Sequence, residues 1–369
     1  MRVLVTGAEG FIGQNLVVRL GELPKYFVTT YVRGDCDSAL EEMLSDCDVV
    51  IHLAGENRPA DEKGFNEGNA LLTDKMSKIL SRNSRNIPII FASSTQASLD
   101  NPYGKSKLSA EETLTVLASD NLNSVFIYRL PGVFGKWCKP NYNSVVATFC
   151  HNISRGLPVQ VSDSDVLLTL VYIDDVISSF LKVLEEPFPK GVSRKSIDPE
   201  FTVTLGSLVD QLQEFKESRS TLVTERVGTG FMRALYATYL SYLPSSMFTY
   251  DIESYGDERG VFSEMLKTKD SGQFSFFTAF PGITRGGHYH HTKSEKFLVI
   301  KGHARFSFLN IVTDEHYEIE TSSKNLTIVE TIPGWSHNIK NVGDDEMLVL
   351  LWANEIFDRH LPDTIASVM

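Results

Sequence analysis

Two groups of residues with catalytic chemistry lie far apart in the chain. In the first, Tyr103 and Lys107 are four residues apart, so their side chains share one face of a helix. A tyrosine can donate a proton to a forming alkoxide, and a cationic lysine beside it lowers a phenol pKa that is otherwise about 10. The hydroxyl of Ser94, with Thr95 as the alternate, would polarise the same carbonyl. This group predicts the reduction of a ketone.

The second group contains three histidines and a glutamate, and it predicts a metal centre. Six of the nine histidines lie between positions 288 and 337. Alternation along a strand puts His288 and His290 on one face, and we expect Glu295 on the next strand and His337 across a barrel. Three imidazoles and a carboxylate suit Zn, Fe, Mn or Ni. A metal-free barrel with a histidine-lined pocket is the alternative.

A glycine-rich turn near the start of the chain predicts a dinucleotide site. Gly7 permits a tight turn after a strand, Gly10 lets the backbone approach a pyrophosphate, and Gly13 lets the strand and the following helix pack closely. The helix begins with Phe11 and Ile12, and its N-terminus would face the phosphates.

The end of the second predicted strand bears on which dinucleotide binds. NAD enzymes usually place Asp or Glu there to bind the ribose 2′-hydroxyl. Here Arg33 lies about twenty residues past Gly13 and suits a 2′-phosphate, which favours NADPH. Asp35, two residues further on, keeps NAD as the alternative.

Composition limits the partners. The formal net charge of −12 argues against nucleic acid or an anionic membrane surface, although local groups can still bind a phosphorylated small molecule. No apolar run approaches the roughly 18–20 residues of a membrane span, and no secretory signal is apparent. Four scattered cysteines fit reduced thiols. We expect a cytoplasmic protein with no nucleic-acid or membrane partner.

The pattern of apolar and polar residues changes along the chain, and this change predicts two domains. Up to about residue 180, near-continuous apolar strands alternate with helical patterns, as in a parallel sheet covered on both faces. After about residue 250, short alternating runs separated by turns indicate an antiparallel jelly roll. Turn chemistry at 241–246 places the boundary, which gives an α/β Rossmann-type domain at 1–245 and an all-β domain at 246–369.

The first domain resembles the extended short-chain dehydrogenase/reductase family. The motifs that carry the resemblance are Thr6-Gly7-Ala8-x-Gly10-Phe11-Ile12-Gly13, Ser93-Ser94-Thr95 followed by Tyr103-x3-Lys107, Arg129 to Gly135, and Tyr172 to Val176. The resemblance implies that Leu53, Ala54 and Gly55 lie along the cofactor and that Lys107 also reaches its ribose.

The second domain resembles the cupin family. The motifs are Gly282-x5-His288-x-His290-x4-Glu295-x6-Gly302 and Gly334-x2-His337-x3-Asn341. A divalent ion can polarise a ketone and so assist epimerisation of the adjacent carbon. That reaction also needs a base, and position in the chain suggests Lys296, His291 and Tyr289.

The two domains in this order are similar to the CapF family of bifunctional capsule enzymes. The resemblance implies that the cupin domain epimerises C3 of a UDP-2-acetamido-2,6-dideoxy-4-hexulose. The reductase domain would then reduce C4 with NADPH, giving the 6-deoxy-L-talose derivative on the route to UDP-N-acetyl-L-fucosamine. It also implies zinc and a homodimer. Two alternatives stay open: a nucleotide-sugar dehydratase or epimerase with a purely structural cupin domain, and a non-catalytic nucleotide-sugar sensor.

Overall fold

The computed structural model of the protein describes residues 1–59, 61–82, 85–252, 255–257, 260–262, 266–268, 272–355 and 360–368. The chain forms two compact units. The first comprises Met1–Ser144 and Leu168–Thr202, and the second comprises Val145–Leu167 and Val203–Met369. The domain boundary after residue 245 stays a prediction.

The first unit is built on a six-stranded sheet in which every pairing is parallel, in the spatial order β2-β1-β3-β4-β5-β8. A smaller sheet has the order β6-β7-β9. The strands are β1 (Arg2–Thr6), β2 (Phe27–Tyr31), β3 (Val49–His52), β4 (Ile89–Ser94), β5 (Ser124–Leu130), β6 (Gly132–Phe134), β7 (Leu167–Tyr172), β8 (Gly191–Lys195) and β9 (Phe201–Thr204). Strands β3 and β4 are buried along their whole length, as a sheet covered on both faces requires.

The helices are α1 (Phe11–Gly21), α2 (Asp37–Asp46), α3 (Lys63–Phe65), α4 (Leu72–Arg82), α5 (Pro102–Asn121), α6 (Val145–Ser154), α7 (Ile173–Glu185), α8 (Leu205–Thr221) and α9 (Gly230–Ser241). Helix α5 has a strong start signal, because the Asn101 side chain accepts a hydrogen bond from the Gly104 N–H and Pro102 occupies the first turn. Its buried face, which includes Leu114 and Leu117, packs into the core beside the sheet. No helix among the described residues is both long enough and apolar enough to cross a bilayer.

The second unit contains two five-stranded antiparallel sheets, with the orders β11-β20-β17-β22-β15 and β19-β18-β21-β16-β23. Its strands are β10 (Val223–Thr224), β11 (Thr249–Asp251), β12 (Tyr255–Asp257), β13 (Gly260–Phe262), β14 (Lys267–Thr268), β15 (Gln273–Ala279), β16 (Thr284–Tyr289), β17 (Glu295–Lys301), β18 (His303–Asn310), β19 (His316–Ser322), β20 (Thr327–Glu330), β21 (Trp335–Asn341), β22 (Met347–Ala353) and β23 (Ile365–Ala366). The Rossmann-type sheet followed by a jelly-roll domain confirms the predicted fold class.

The period-two pattern of the sequence sets the core of this jelly roll. Along β18, Ala304, Phe306 and Phe308 are buried, whereas Arg305 between them is exposed. Phe308 packs edge to face against Phe248, with the ring centroids 5.5 Å apart.

Candidate active site and metal centre

The glycine turn of the first unit leaves no room for side chains. Gly7 has a φ of +72°, and a Cβ there would lie 2.6 Å from the Ala54 nitrogen. A Cβ on Gly13 would lie 2.2 Å from the Gly7 carbonyl oxygen. Gly10 is the N-cap of α1, and no side chain caps the amides of the first turn. These backbone N–H groups therefore point into the space in front of the helix. This is the geometry of a phosphate site at a helix N-terminus.

A cleft of about 700 Å³ opens in front of this turn and collects most of the predicted site residues. Its lining includes Gly7, Gly10, Phe11, Ile12, Gly13, Arg33, Leu53, Gly55, Ser94, Tyr103 and Lys107. Ala54 is not part of the lining, since it lies against Gly7 and its N–H donates to Thr6 Oγ1 over 3.2 Å.

Tyr103 and Ser94 form the polar end of the cleft. Burial raises the pKa of the Tyr103 phenol, and a hydrogen bond with the Ser94 side chain acts in the opposite direction. Lys107 is not among the groups that shift this pKa, so the expected lowering of the phenol pKa by the lysine is not found. The Ser94 hydroxyl also accepts the Gln96 N–H over 3.2 Å, which fixes its direction at the end of β4.

Lys107 is a buried cation whose ammonium group donates to the Ala92 carbonyl oxygen over 3.1 Å. Burial lowers its pKa to about 8, and the charge of Glu111, one helical turn further on, opposes that shift. Glu111 is itself buried, with Oε1 accepting from Ser93 Oγ over 2.5 Å and Oε2 from Arg129 Nη2 over 2.8 Å. The negative charge of Glu111 therefore helps to keep Lys107 protonated.

Sequence reasoning missed two residues that shape this cleft. The Asn69 side chain accepts the Glu56 N–H over 3.1 Å and donates to Ser106 Oγ over 3.0 Å. Asn69 lies in a π-helical turn, Asn66–Leu71, and no motif signals that turn. Glu56 forms an ion pair with Arg33 at 2.8 Å, a contact that the acidic residue after Gly55 could have suggested.

In the second unit, His288, His290, Glu295 and His337 converge. One ligand atom from each can be chosen so that all four lie within 4.8 Å of one another. His290 Nε2 lies 3.2 Å from Glu295 Oε2, and His337 Nε2 lies 3.5 Å from the same oxygen. The four side chains thus surround one point.

The position of His337 corrects an expectation. It lies on β21 directly opposite His288 of β16, in the same sheet, with the ring centroids 4.8 Å apart, and not across the barrel. A register shift between Gly286 and His288 makes this pairing possible, and Gly286 adopts a φ of +94° there. Glu295, at the start of β17, comes from the facing sheet.

The donor set fits a divalent cation. His290 Nδ1 is engaged with the Asp363 carbonyl oxygen at 2.5 Å, so in the neutral ring Nε2 carries a lone pair that faces the Glu295 carboxylate. Burial lowers the pKa of His288 to about 4, which keeps that imidazole neutral. Within the described part of the chain, neither ring nitrogen of the buried His337 makes a hydrogen bond. The Nε2 lone pair of His290 and Nε2 of His337 both lie close to the Glu295 carboxylate, and this set of donors suits a metal ion.

Comparison with known proteins agrees with this two-part architecture. Residues 3–195 match the model of the NAD dependent epimerase/dehydratase family, and residues 255–365 match that of the polysaccharide biosynthesis C-terminal domain. The chain belongs to the NAD dependent epimerase/dehydratase family. This fold implies a nicotinamide cofactor in the cleft of the first unit.

Two relatives extend over nearly the whole chain. A UDP-2-acetamido-2,6-beta-L-arabino-hexul-4-ose reductase of Pseudomonas aeruginosa is 54% identical over 366 residues, covering 99% of this chain and 98% of the relative. The crystal structure of the capsular polysaccharide assembling protein CapF from Staphylococcus aureus is 43% identical, covers 100% of both chains and superposes with a TM-score of 0.68. The resemblance to the CapF family is confirmed. A UDP-glucose 4-epimerase of Vibrio cholerae is 26% identical over 224 residues, 50% of this chain and 67% of that one.

A cavity of about 210 Å³ is lined by three of the four metal-ligand candidates, His288, Glu295 and His337. Among the described residues that line it, Arg285 is the one titratable side chain besides those ligands. The bases suggested by position in the chain lie elsewhere. Tyr289 and His291 alternate with the ligands His288 and His290 on β16 and beyond it, and they are not part of the cavity wall.

Proposed function

We propose that the chain is a bifunctional nucleotide-sugar enzyme. The second unit epimerises C3 of a UDP-2-acetamido-2,6-dideoxy-4-hexulose with the help of a divalent metal, zinc in our proposal. The first unit reduces the C4 ketone with NADPH to UDP-2-acetamido-2,6-dideoxy-L-talose, a step toward UDP-N-acetyl-L-fucosamine for surface polysaccharide. The observation that carries the proposal is the presence of two complete donor sets in one chain: Ser94, Tyr103 and Lys107 on the nucleotide cleft, and the four ligands in the jelly roll.

The reductase half is supported by the side chains of the cleft and by the relative in Pseudomonas aeruginosa, whose name is that of a reductase of a UDP-linked hexul-4-ose. When bound, the reduced nicotinamide supplies the hydride. Tyr103 donates its phenolic proton to the ketone oxygen as that oxygen gains negative charge. Ser94 hydrogen-bonds to the same oxygen, and the ammonium group of Lys107, which lies on the same cleft, would donate to the ribose of the cofactor.

The choice of NADPH rests on Arg33. Its guanidinium lines the cleft and is largely exposed, so it is available to a 2′-phosphate. Glu56, which pairs with Arg33, keeps the guanidinium at the cleft wall.

The epimerase half is supported by the convergence of the ligands beside a cavity. A divalent cation held there would polarise the ketone and stabilise the negative charge that develops as the adjacent carbon exchanges its proton with solvent. His288, His290, Glu295 and His337 would hold that cation. Phe297 and Phe306 form an aromatic part of the cavity wall beside these ligands.

The test is to incubate the purified protein with the UDP-4-keto-sugar in deuterated water, with and without NADPH. NMR then follows deuterium at C3, and absorbance follows NADPH. We expect C3 exchange without NADPH in the wild type. His337→Ala should abolish that exchange, whereas Tyr103→Phe should keep it and lose NADPH consumption.

Two results would overturn parts of the proposal. Full C3 exchange by His337→Ala would favour the alternative of a structural jelly roll. NADPH consumption by Tyr103→Phe at the wild-type rate would defeat the assignment of the proton donor. Tyr128→Phe is the matched control, because the hydroxyl of this buried tyrosine bonds to Ser179 away from the cleft.

We also propose that the protein is a homodimer. Strand β15 lies at the edge of its sheet, Phe276 on it is 70% exposed, and Phe280 just beyond is 69% exposed. A strand at the edge of its sheet as described, with large apolar side chains exposed on and beside it, favours pairing with a second copy. Light scattering of the wild type should give twice the chain mass, and Phe276→Glu should give the monomer. A wild-type monomer at micromolar concentration would refute this.

A further inference from the structure

The last described segment of the chain, residues 360–368, makes an unusual set of contacts around one residue. Asp363 Oδ1 accepts the His291 N–H over 2.9 Å. Its Oδ2 accepts the N–H of Thr292 over 2.8 Å, the hydroxyl of Thr292 over 2.9 Å and the N–H of Lys293 over 2.7 Å. One carboxylate therefore holds three successive amides of the buried loop between His290 and Glu295.

The backbone of the same residue acts on a metal-ligand candidate directly. The Asp363 carbonyl oxygen lies 2.5 Å from His290 Nδ1. A carbonyl can only accept, so the imidazole must carry its proton on Nδ1. Nε2 is then the nitrogen left to bind a cation, and it is the nitrogen that faces Glu295.

The residues after Asp363 bind the strand that carries the other histidine. Ala366 pairs with His288, and Ile365 pairs with Tyr289, across β23 and β16. The Ser367 N–H donates to the Gly287 carbonyl oxygen over 2.9 Å. The segment thus holds His288 through the sheet and His290 through the ring hydrogen bond.

We propose that Asp363 is the positioning residue of the metal centre. It fixes the tautomer and direction of His290 through its carbonyl and orders the loop 291–293 through its carboxylate. Asp363 is not a ligand itself, because both of its carboxylate oxygens are engaged by the loop. The inference rests on the proposed metal site and extends it to a residue 73 positions away from His290.

A link of this kind predicts a change in metal affinity. Outer-shell partners of metal-binding histidines typically contribute about 10–100-fold to affinity. Asp363→Ala removes four hydrogen bonds to the loop and releases the carbonyl that orients His290. We expect the Kd for Zn²⁺ to rise about 10–100-fold. We also expect Co²⁺ bound in place of zinc to show a visible spectrum altered from that of the wild type.

The experiment measures zinc binding by competition with a chromophoric chelator on the full-length wild type, Asp363→Ala and Asp363→Asn. The asparagine keeps the shape but presents an NH₂ group to one of the loop N–H donors, so its Kd should lie between the other two. Nitrogen NMR of the histidine rings reads the His290 tautomer independently of activity.

Asn310→Ala is the matched control for a purely structural effect. The Asn310 side chain accepts the N–H groups of Val312 and Thr313 in another loop of the same unit. It should lower the melting temperature without changing the zinc Kd.

The outcomes separate the two proposals. If the wild type binds no zinc, the metal centre itself fails. If the wild type binds one zinc and Asp363→Ala binds it with the same Kd while folded, as judged by circular dichroism, the positioning role is wrong. Equal losses of affinity in Asp363→Ala and Asn310→Ala would also contradict it, since general loosening of the fold would then explain both.

Discussion

Glu295 and Lys296 are consecutive in the chain, yet they project to opposite faces of β17. The Glu295 carboxylate faces His290 and His337, whereas Lys296 Nζ pairs with Glu330 and donates to the Tyr250 hydroxyl over 2.8 Å. Lys296 therefore does not serve as the base of the metal site, although it adjoins a ligand in sequence.

The Glu330 carboxylate bridges two buried cations, Lys296 and Arg219 of helix α8. Burial disfavours the charge on Lys296, but Glu330 outweighs it and holds the pKa of the lysine above its usual value. Glu330→Ala leaves two buried positive charges without their counterion, which typically costs about 3–5 kcal/mol. We expect calorimetry to show that the free energy of unfolding of the second unit falls by about this amount.

Glu320→Ala is the control for that prediction. Glu320 on β19 is an exposed partner of Arg305 on β18, and exposed ion pairs contribute little. A loss as large for Glu320→Ala as for Glu330→Ala would show that burial of the network is not the cause.

The pKa of Lys107 should set the alkaline limit of the reductase. Because burial lowers this pKa to about 8, the free enzyme loses the lysine proton as the pH rises through that value. We expect the ammonium form, which would donate to the cofactor ribose, to be the active one, so kcat/KM should be constant below pH 8 and should fall above it. Glu111→Gln removes the charge that raises this pKa, and the fall should move to lower pH.

The neighbouring substitution Glu112→Gln serves as the control. Glu112 is exposed on the same helix and is not among the groups that shift the pKa of Lys107. The assignment would be wrong if Glu111→Gln left the pH profile in place, or if both substitutions moved it equally.

Local patterns predicted the elements well where burial is simple. The apolar runs at Arg2–Thr6 and Ser124–Leu130 form β1 and β5 over their full length, since continuous apolar runs between turns permit few other structures. The helical pattern over 205–240 is less informative, because the sequence shows no clear break within it. It contains two helices, α8 and α9, separated by the short strand Val223–Thr224.

The candidate sites show where a sequence stops being informative. Gly7, Gly13 and the pair Tyr103 and Lys107 are local motifs, and the structure brings them to one cleft. Asp363 carries no local signal, because its partners lie about 70 residues earlier and its role depends on the pairing of β23 with β16. The same holds for the strand of His337, since its placement depends on a register shift at Gly286.

Arg33 should decide the preference between the two nicotinamide cofactors. Its guanidinium is 87% exposed and has one carboxylate partner, Glu56, so a 2′-phosphate could engage the remaining donors. Arg33→Ala should raise the KM for NADPH at least about 10-fold, the loss expected for one charge-assisted hydrogen bond, and leave the KM for NADH nearly unchanged. Arg58→Ala, an exposed arginine nearby, should change neither value. An equal rise for both cofactors would show that Arg33 binds a group that they share.

Removing the metal should destabilise the second unit alone. A ligand that binds only the folded state at about 1,000 times its Kd stabilises that state by about 4 kcal/mol. Treatment with a chelator should therefore lower the melting transition of the jelly roll, and added Zn²⁺ should restore it, while the transition of the nucleotide-binding unit stays in place. In His337→Ala the chelator should have little effect, because one of the four converging donors is absent. A melting profile that the chelator leaves unchanged in the wild type would mean that His288, His290, Glu295 and His337 converge without holding a metal.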